Sequence, residues 1–279
     1  MSRGCVHVSR RTALTIGRIR LSALPPLASS CGRRATSRIP PATGSSKLGG
    51  EPDLSPGTSW PLREGRPMSF LGQVRLDELP AIDPESPLPR TGLLSFFYDC
   101  ENQPWGFDPK DKSGHRILYC KDATRLQRQV TPEEVEDEGW FLECKLVPEL
   151  GASLPGNPPE FLPEDESDAY YELVVDNASR EVSGHHQLMG LPAEIQNPME
   201  LECQLASHGL YCGGPSGYND PRSKELEAGA ADWRLLLQID SEDQADMMWG
   251  DCGMLYFLMR KQDLADADFS RSWLVLQCH

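Results

Sequence analysis

The residues that could do chemistry in this chain are few, and none falls into a catalytic pattern. His185 and His186 are adjacent, but a metal site would need further ligands converging from elsewhere. Residues 240–246 resemble a calcium loop in composition, yet they lack its central glycine and its terminal bidentate glutamate. Residues 213–218 are glycine-rich, but no Lys-Ser/Thr follows, so a phosphate cradle is not indicated.

Signature motifs of common enzyme and metal-site classes are also missing. The sequence has no Gly-x-Ser-x-Gly elbow and no His-Glu-x-x-His helix. None of its nine cysteines forms a Cys-x-x-Cys pair, which argues against zinc-ribbon and thioredoxin chemistry. We therefore predict no catalytic residue, no metal ligand and no cofactor, and whether the chain is an enzyme stays open, with a lean towards no.

Binding is the better-supported use of the polar and aromatic residues near loops. Tryptophan is favoured at interfaces, although it also covers the ends of β-cores. Gln73 and Gln238 each end an apolar strand, so each amide either lines a cleft or satisfies buried backbone groups, and structural use is favoured. The candidate cleft residues are Trp60, Gln73, Trp105, His185, His186, Gln196, Gln238, Asp240, Trp249 and Asp251.

Charge is distributed unevenly along the chain and restricts the class of partner. The net charge is −15, yet residues 1–50 hold eight Arg, one Lys and no acidic residue. An acidic body argues against nucleic acid as the main ligand, because phosphate binding needs clustered Lys and Arg. It suits a basic protein or peptide, or simply a solvated surface. No apolar run approaches the length of a membrane span, so no membrane partner is predicted.

The basic N-terminal segment is compositionally distinct from the rest of the chain. Residues 1–44 resemble a transit peptide in composition, and we interpret them as a disordered or mis-assigned extension. A short helix over 13–24 is the alternative. An odd number of cysteines without a secretory signal favours a reducing, cytoplasmic location.

A strand-loop-strand sequence pattern occurs twice, about 160 residues apart, and the predicted architecture is based on it. Strands are predicted at 69–75, 92–98, 116–120, 125–129, 140–147, 233–240, 253–260 and 272–278. Helices are predicted near 165–177, 198–207, 223–228 and 261–267, with a short helical turn at 76–79. Because most connections are too short for βαβ crossovers, we expect an α+β fold. Its mainly antiparallel sheet core would consist of two related halves with a few short helices.

The domain plan follows from the same observations. Residues 45–279 are expected to form a single domain, with a first half at about 45–147 and a second at about 167–279. Between them, residues 148–166 form an acidic, proline-rich connector that cannot contribute a central strand.

Several motifs together resemble one family. The stretches 46–52 (SKLGGEP), 71–74 (LGQV), 186–192 (HQLMGLP), 232–240 (DWRLLLQID) and 249–257 (WGDCGMLYF) are similar to the YwqG-like family, a bacterial domain of unknown function. The resemblance covers roughly 45–278 and implies an α+β fold in two related halves. A more distant similarity to programmed cell death protein two suggests a protein- or peptide-binding role.

Two functions of different class remain open from the sequence. The first is a non-enzymatic protein- or peptide-binding module, chaperone-like or immunity-type, that holds a basic partner between its halves. The second is an enzyme or small-ligand binder whose inter-half cleft uses His185, His186 and Asp240 or Asp251. Nucleic-acid processing through the basic N-terminal arm ranks last. The oligomeric state is not indicated.

Overall fold

Strands dominate the part of the chain that the computed structural model describes, which is residues 16–24, 41–80, 87–153, 166–168, 170 and 185–279. The strands are β1 (Ile16–Leu24), β2 (Lys47–Leu48), β3 (Asp53–Leu54), β4 (Leu62–Arg63), β5 (Arg66–Pro67), β6 (Ser69–Arg75), β7 (Leu93–Tyr98), β8 (His115–Cys120), β9 (Gln127–Arg128), β10 (Cys144–Ser153), β11 (Gln187–Leu188), β12 (Trp233–Asp240), β13 (Met254–Arg260) and β14 (Trp273–Gln277).

The helices of these described residues are short and begin at recognisable signals. The α-helices are α1 (Glu200–Ser207), α2 (Pro215–Tyr218), α3 (Pro221–Leu226) and α4 (Lys261–Ala265). Proline occupies the first turn of α2 and of α3, where its missing N–H costs nothing. Asp220 caps α3 by accepting a hydrogen bond from the Arg222 N–H at 2.9 Å. Single 3₁₀ turns lie at Leu76–Glu78, Pro109–Gly114, Asp137–Gly139, Glu227–Asp232, Asp243–Ala245 and Phe269–Arg271.

Ten strands form one sheet, and every pairing in it is antiparallel. The order of hydrogen-bonded neighbours is β14-β13-β12-β11-β1-β10-β2-β6-β7-β8, while β3–β9 and β4–β5 form two small ribbons. The two outer strands approach each other, since the ring Nε2 of His115, the first residue of β8, lies 2.9 Å from the hydroxyl of Ser272, just before β14. Burial lowers the pKa of His115 to about 3, so this contact joins neutral groups. The sheet is therefore nearly closed and barrel-like.

The main hydrophobic core lies inside this sheet and takes side chains from both halves. Phe96 of β7 meets Phe257 of β13 edge to face, with ring centroids 5.2 Å apart. Tyr98 meets Trp249 in the same way at 6.2 Å. A second apolar cluster joins α1 to the outer face of β12 and β13, where Trp233 and Tyr256 are buried. The core thus contains side chains from both halves of the chain.

Both halves contain the same local irregularity in the sheet. The β6–β7 register shifts between Phe70 and Gly72, and the β12–β13 register shifts between Leu235 and Leu237. In each case the skipped residue, Leu71 or Leu236, offers its carbonyl to a backbone N–H after the preceding short strand. A β-bulge of this kind bends the strand and increases its twist.

The predicted antiparallel sheet with a few short helices is confirmed, and strands β6, β7, β8, β12, β13 and β14 lie within about a residue of their predicted limits. The structure differs at residues 16–24, where we expected an extension or a short helix. They form β1 in the middle of the sheet because alternate side chains, Ile19, Leu21 and Ala23, are buried. Another difference is that β10 continues into the proline-rich connector, with Pro148 opposite Leu21. Most of the helix predicted at 165–177 lies outside the described residues, as do residues 1–15 and 25–40.

Within the described ranges, no helix is both long and apolar enough to cross a membrane.

Candidate functional site

The paired glutamines occupy matching, fully buried places and satisfy the backbone. Gln73 accepts a hydrogen bond from the Asp53 N–H at 2.9 Å and donates to the Ser45 carbonyl at 2.8 Å. Gln238 accepts from the Ala193 N–H at 2.9 Å and donates to the His185 carbonyl at 2.7 Å. These bonds hold the chain on both sides of β2 and of β11. Since both amides are 0% exposed, they have no surface to offer a ligand.

The adjacent histidines are used structurally as well. His186 is buried, and its Nδ1 accepts from the Asp240 N–H at 3.1 Å while its Nε2 lies 3.3 Å from Glu242 Oε2. The hydrogen bond from His186 holds the pKa of Glu242 below its ordinary value. The His185 N–H donates to Asp240 Oδ2 at 2.8 Å. These contacts fix the loop at β11 against the end of β12.

The remaining candidate residues differ in their hydrogen-bond partners and in their exposure to solvent. The ring N–H groups of Trp60 and Trp249 donate to the carbonyls of Met68 and Asp240 at 2.9 and 3.1 Å. Trp105 is 37% exposed and packs on Phe107. Gln196 and Asp251 are exposed, and Gln196 donates to the Cys278 carbonyl at 2.8 Å. Of the ten candidates, only Trp249 lines either of the cavities described below.

Two adjoining cavities form what we call the acidic groove. The larger, about 330 Å³, is lined by Cys100, Gln103, Asp137, Glu138, Phe141, Asp246, Met248, Trp249 and Gly250. The smaller, about 50 Å³, is lined by Arg63, Arg66, Pro67, Met68, Ser69, Asp99, Cys100, Glu101, Glu134, Val135, Glu136, Glu138 and Gly139. Cys100 and Glu138 line both, so the two cavities are neighbours. Residues of the first half and residues 246–250 of the second half face each other across the larger one.

The charge of the groove is strongly negative. Seven carboxylates line it against two guanidinium groups, and no lysine is among the lining residues. Both guanidiniums already contact carboxylates, since Arg63 pairs with Asp99 at 2.8 Å and Arg66 pairs with Glu101. The local field therefore favours a cationic ligand.

Close backbone packing positions the walls. Gly139 ends the 3₁₀ turn that carries Asp137 and Glu138, and a Cβ there would lie 2.4 Å from Ser69 Oγ. The Leu142 N–H donates to the Ala245 carbonyl at 2.9 Å, which ties this wall to the opposite half. The opposite wall begins at Asp246, whose φ of 57° is left-handed.

Apolar surface and an inert thiol complete the groove. Met248 is 49% exposed, and Phe141 and Trp249 lie beside it. Burial raises the pKa of the Cys100 thiol to about 12, so this cysteine is protonated at neutral pH and is a poor nucleophile. In the described portion, no three His, Cys, Asp or Glu side chains are placed to hold a metal ion. The groove thus offers carboxylate oxygens and an exposed thioether, which can contact a cation with an apolar stem.

Sequence reasoning missed this groove, although a signal was present. Residues 133–138 read Glu-Glu-Val-Glu-Asp-Glu, the densest acidic run in the chain, and they were interpreted only as part of the general acidic body. The facing segment 246–250 lies more than 100 residues away, so only the fold reveals that the two meet.

Residues 46–278 match the family described as a domain of unknown function, DUF1963. No curated protein matches the chain.

Proposed function

Starting from the fact that the chain belongs to the DUF1963 family, we propose that it is a non-enzymatic module that binds a basic segment of a protein partner. The segment would lie in the acidic groove, with cationic side chains on the carboxylates and apolar stems on Met248, which is 49% exposed. The observation that carries the proposal is the meeting of an acidic run from the first half with residues 246–250 of the second across a 330 Å³ cavity.

The physical case rests on charge complementarity. Carboxylates bind guanidinium groups through short, often bidentate hydrogen bonds, and a negative surface speeds encounter with cationic segments. Chaperone-like and immunity-type roles both fit a partner of this chemistry, and cytoplasmic location completes the proposal. The seven cysteines of the described residues are free thiols, which supports a reducing compartment.

A small-ligand site in the same cavity is the second candidate. Its volume of about 330 Å³ falls at the small end of the usual range for ligand pockets. This candidate no longer relies on His185 and His186, because their hydrogen bonds serve the backbone and a buried carboxylate. A cationic metabolite would then compete with basic peptides for the groove.

A charge-neutralised variant tests the proposal. We expect Asp137→Asn/Glu138→Gln/Asp246→Asn to bind a labelled oligo-arginine peptide roughly 10–100-fold more weakly, because each exposed ion pair contributes about 0.5–1 kcal/mol. Fluorescence anisotropy at low salt measures the affinity of the peptide. Affinity capture from native lysate, with the wild-type chain and the variant as separate baits, identifies the partner. Asparagine tolerates the left-handed backbone at position 246.

The matched control removes acidic charge elsewhere. Glu225→Gln/Glu227→Gln/Asp232→Asn removes three exposed carboxylates, on α3 and in the 3₁₀ segment after it, away from the groove lining. Equal weakening by both variants would show that the peptide senses only net charge, and the groove proposal would then be abandoned.

We also propose that the two halves descend from one repeated unit, and that the chain is YwqG-like in the narrower sense. The matched bonds of Gln73 and Gln238 support the repeat. So do the matched β-bulges at Leu71 and Leu236. The motifs shared with the YwqG-like family support the narrower membership.

A further inference from the structure

Strand β1 occupies a gap, here called the slot, between two strands of the family-matched part of the chain. It lies outside residues 46–278, yet it sits between β10 and β11. Nine of its residues pair with β10, and Ile19 and Arg20 also pair with β11. Among the described strands, β1 alone joins β10 to β11. The two halves of the sheet are therefore connected by backbone hydrogen bonds to β1, which precedes the matched residues in sequence.

One wall of the slot is apolar. Ile19, Leu21 and Ala23 alternate along β1 and are 0%, 2% and 4% exposed, so each enters the main core. The Leu21 N–H also donates to the His186 carbonyl at 3.0 Å. The slot thus selects apolar residues at every second position of an extended chain.

The other wall is shaped for arginine. Arg18 Nη1 donates to Gln187 Oε1 at 2.6 Å in a buried site. Two glycines make room for the stems: a Cβ at Gly190 would lie 2.8 Å from Arg18 Cβ, and one at Gly151 would lie 2.9 Å from Arg20 Cγ. Side chains at either glycine would therefore collide with the strand that fills the slot.

The corresponding edge in the first half receives a strand in the same way. The Leu146 N–H of β10 donates to the Ser46 carbonyl at 3.0 Å, which matches the Leu21–His186 bond of β1. Each of the short strands β2 and β11 is therefore flanked on one side by a strand that is not its neighbour in sequence, β10 for β2 and β1 for β11. Such an edge is the geometry used in peptide recognition by strand addition.

We infer that the space between β10 and β11 is a strand-acceptor site, filled in cis by Ile16–Leu24 and able to take the same strand in trans. Its ligand is an extended segment with the pattern Arg-Ile-Arg-Leu-Ser-Ala, as read from residues 18–23. This site is separate from the acidic groove and does not depend on the proposed function.

The test weakens the cis strand in the full chain. Ile19→Ser/Leu21→Ser removes two apolar anchors, and a labelled peptide of residues 16–24 is then added. We expect one-to-one binding to this variant and a rise in its melting temperature, with no binding to the intact wild-type chain, whose slot is filled. A peptide that carries the same two serines is expected to bind about 100-fold more weakly, since two buried aliphatic side chains are lost.

A cleavable form of the wild-type chain tests the same inference if the serine variant does not fold. A protease site placed within residues 25–40 of the wild-type chain separates the strand from the domain after folding. We expect the cleaved strand to remain bound and to exchange with the labelled peptide. The inference is overturned if the peptide neither binds the variant nor exchanges into the cleaved protein, or if the serine-substituted peptide binds equally well.

Discussion

Replacing Gln238 with leucine removes one buried amide and leaves its partners without hydrogen bonds. The Ala193 N–H loses its acceptor and the His185 carbonyl loses its donor, both in contacts of 2.9 Å or less. An orphaned buried polar group costs about 1–3 kcal/mol, so Gln238→Leu is expected to lower the free energy of unfolding by about 2–4 kcal/mol.

The matching change in the first half should cost slightly more. Gln73 serves the Asp53 N–H and the Ser45 carbonyl, and it also donates to Asp53 Oδ2 at 2.8 Å. Because that acceptor is a buried carboxylate, its lost bond is worth more than a neutral one. We expect Gln73→Leu to cost about 3–5 kcal/mol, and the double variant to be close to additive because the two amides share no partner.

Urea unfolding measured by near-UV and far-UV circular dichroism provides the assay. Variants are compared only where the slope of the unfolding free energy against urea concentration is unchanged. Gln262→Leu is the matched control, since this glutamine is exposed and its side chain donates to the exposed Asp266 Oδ2 at 3.1 Å. It should change stability by less than about 0.5 kcal/mol. A loss below about 1 kcal/mol at both Gln73 and Gln238 would refute the view that these amides hold the chain on both sides of β2 and β11.

Three further changes test other parts of the structure. Lys47→Met leaves buried Glu143 without its 2.6 Å partner and should cost about 3–5 kcal/mol in urea unfolding, whereas Lys47→Met/Glu143→Leu should recover most of that loss. Burial raises the pKa of Glu202 to about 7 from 4.5, so the folded state loses stability as pH rises between these values. Glu202→Gln should remove that decline and be more stable by up to about 3 kcal/mol at pH 8, and an unchanged pH profile would contradict it. Gly139→Ala should destabilise the protein by about 1–3 kcal/mol and weaken oligo-arginine binding, because the new Cβ would lie 2.4 Å from Ser69 Oγ. The control Gly214→Ala should be neutral, because its Cβ would enter open space.

The strongest strands could be predicted because their apolar runs are long and bounded by turn residues. Ser69–Arg75 and Trp233–Asp240 were placed at their observed limits for this reason. Two-residue strands such as Lys47–Leu48 carry no periodic signal, so β2 and β11 were invisible as strands even though their glycine-proline turns were noticed.

The candidate site was harder to predict than the fold. Gln73 and Gln238 were recognised as a pair, and their structural use was preferred, because an amide at the end of an apolar run must be satisfied somewhere. His185 and Asp240 do meet, but through a backbone N–H that no side-chain pattern encodes. The acidic groove depends on residues 137–138 and 246–250 being adjacent in space, which follows from strand order and not from spacing along the chain.

By itself, the sequence determined that the protein is an acidic, mainly antiparallel β domain with a twice-repeated phrase and no recognisable catalytic motif. Local hydrophobic periodicity and turn residues carry that information within windows of a few residues. Only the tertiary structure decided that residues 16–24 belong to the centre of the sheet and that a cavity separates the acidic run from Met248. Both depend on long-range pairing, in which contacts across more than 100 residues, such as Ile19 with Leu150, select one arrangement among many that share the same local pattern.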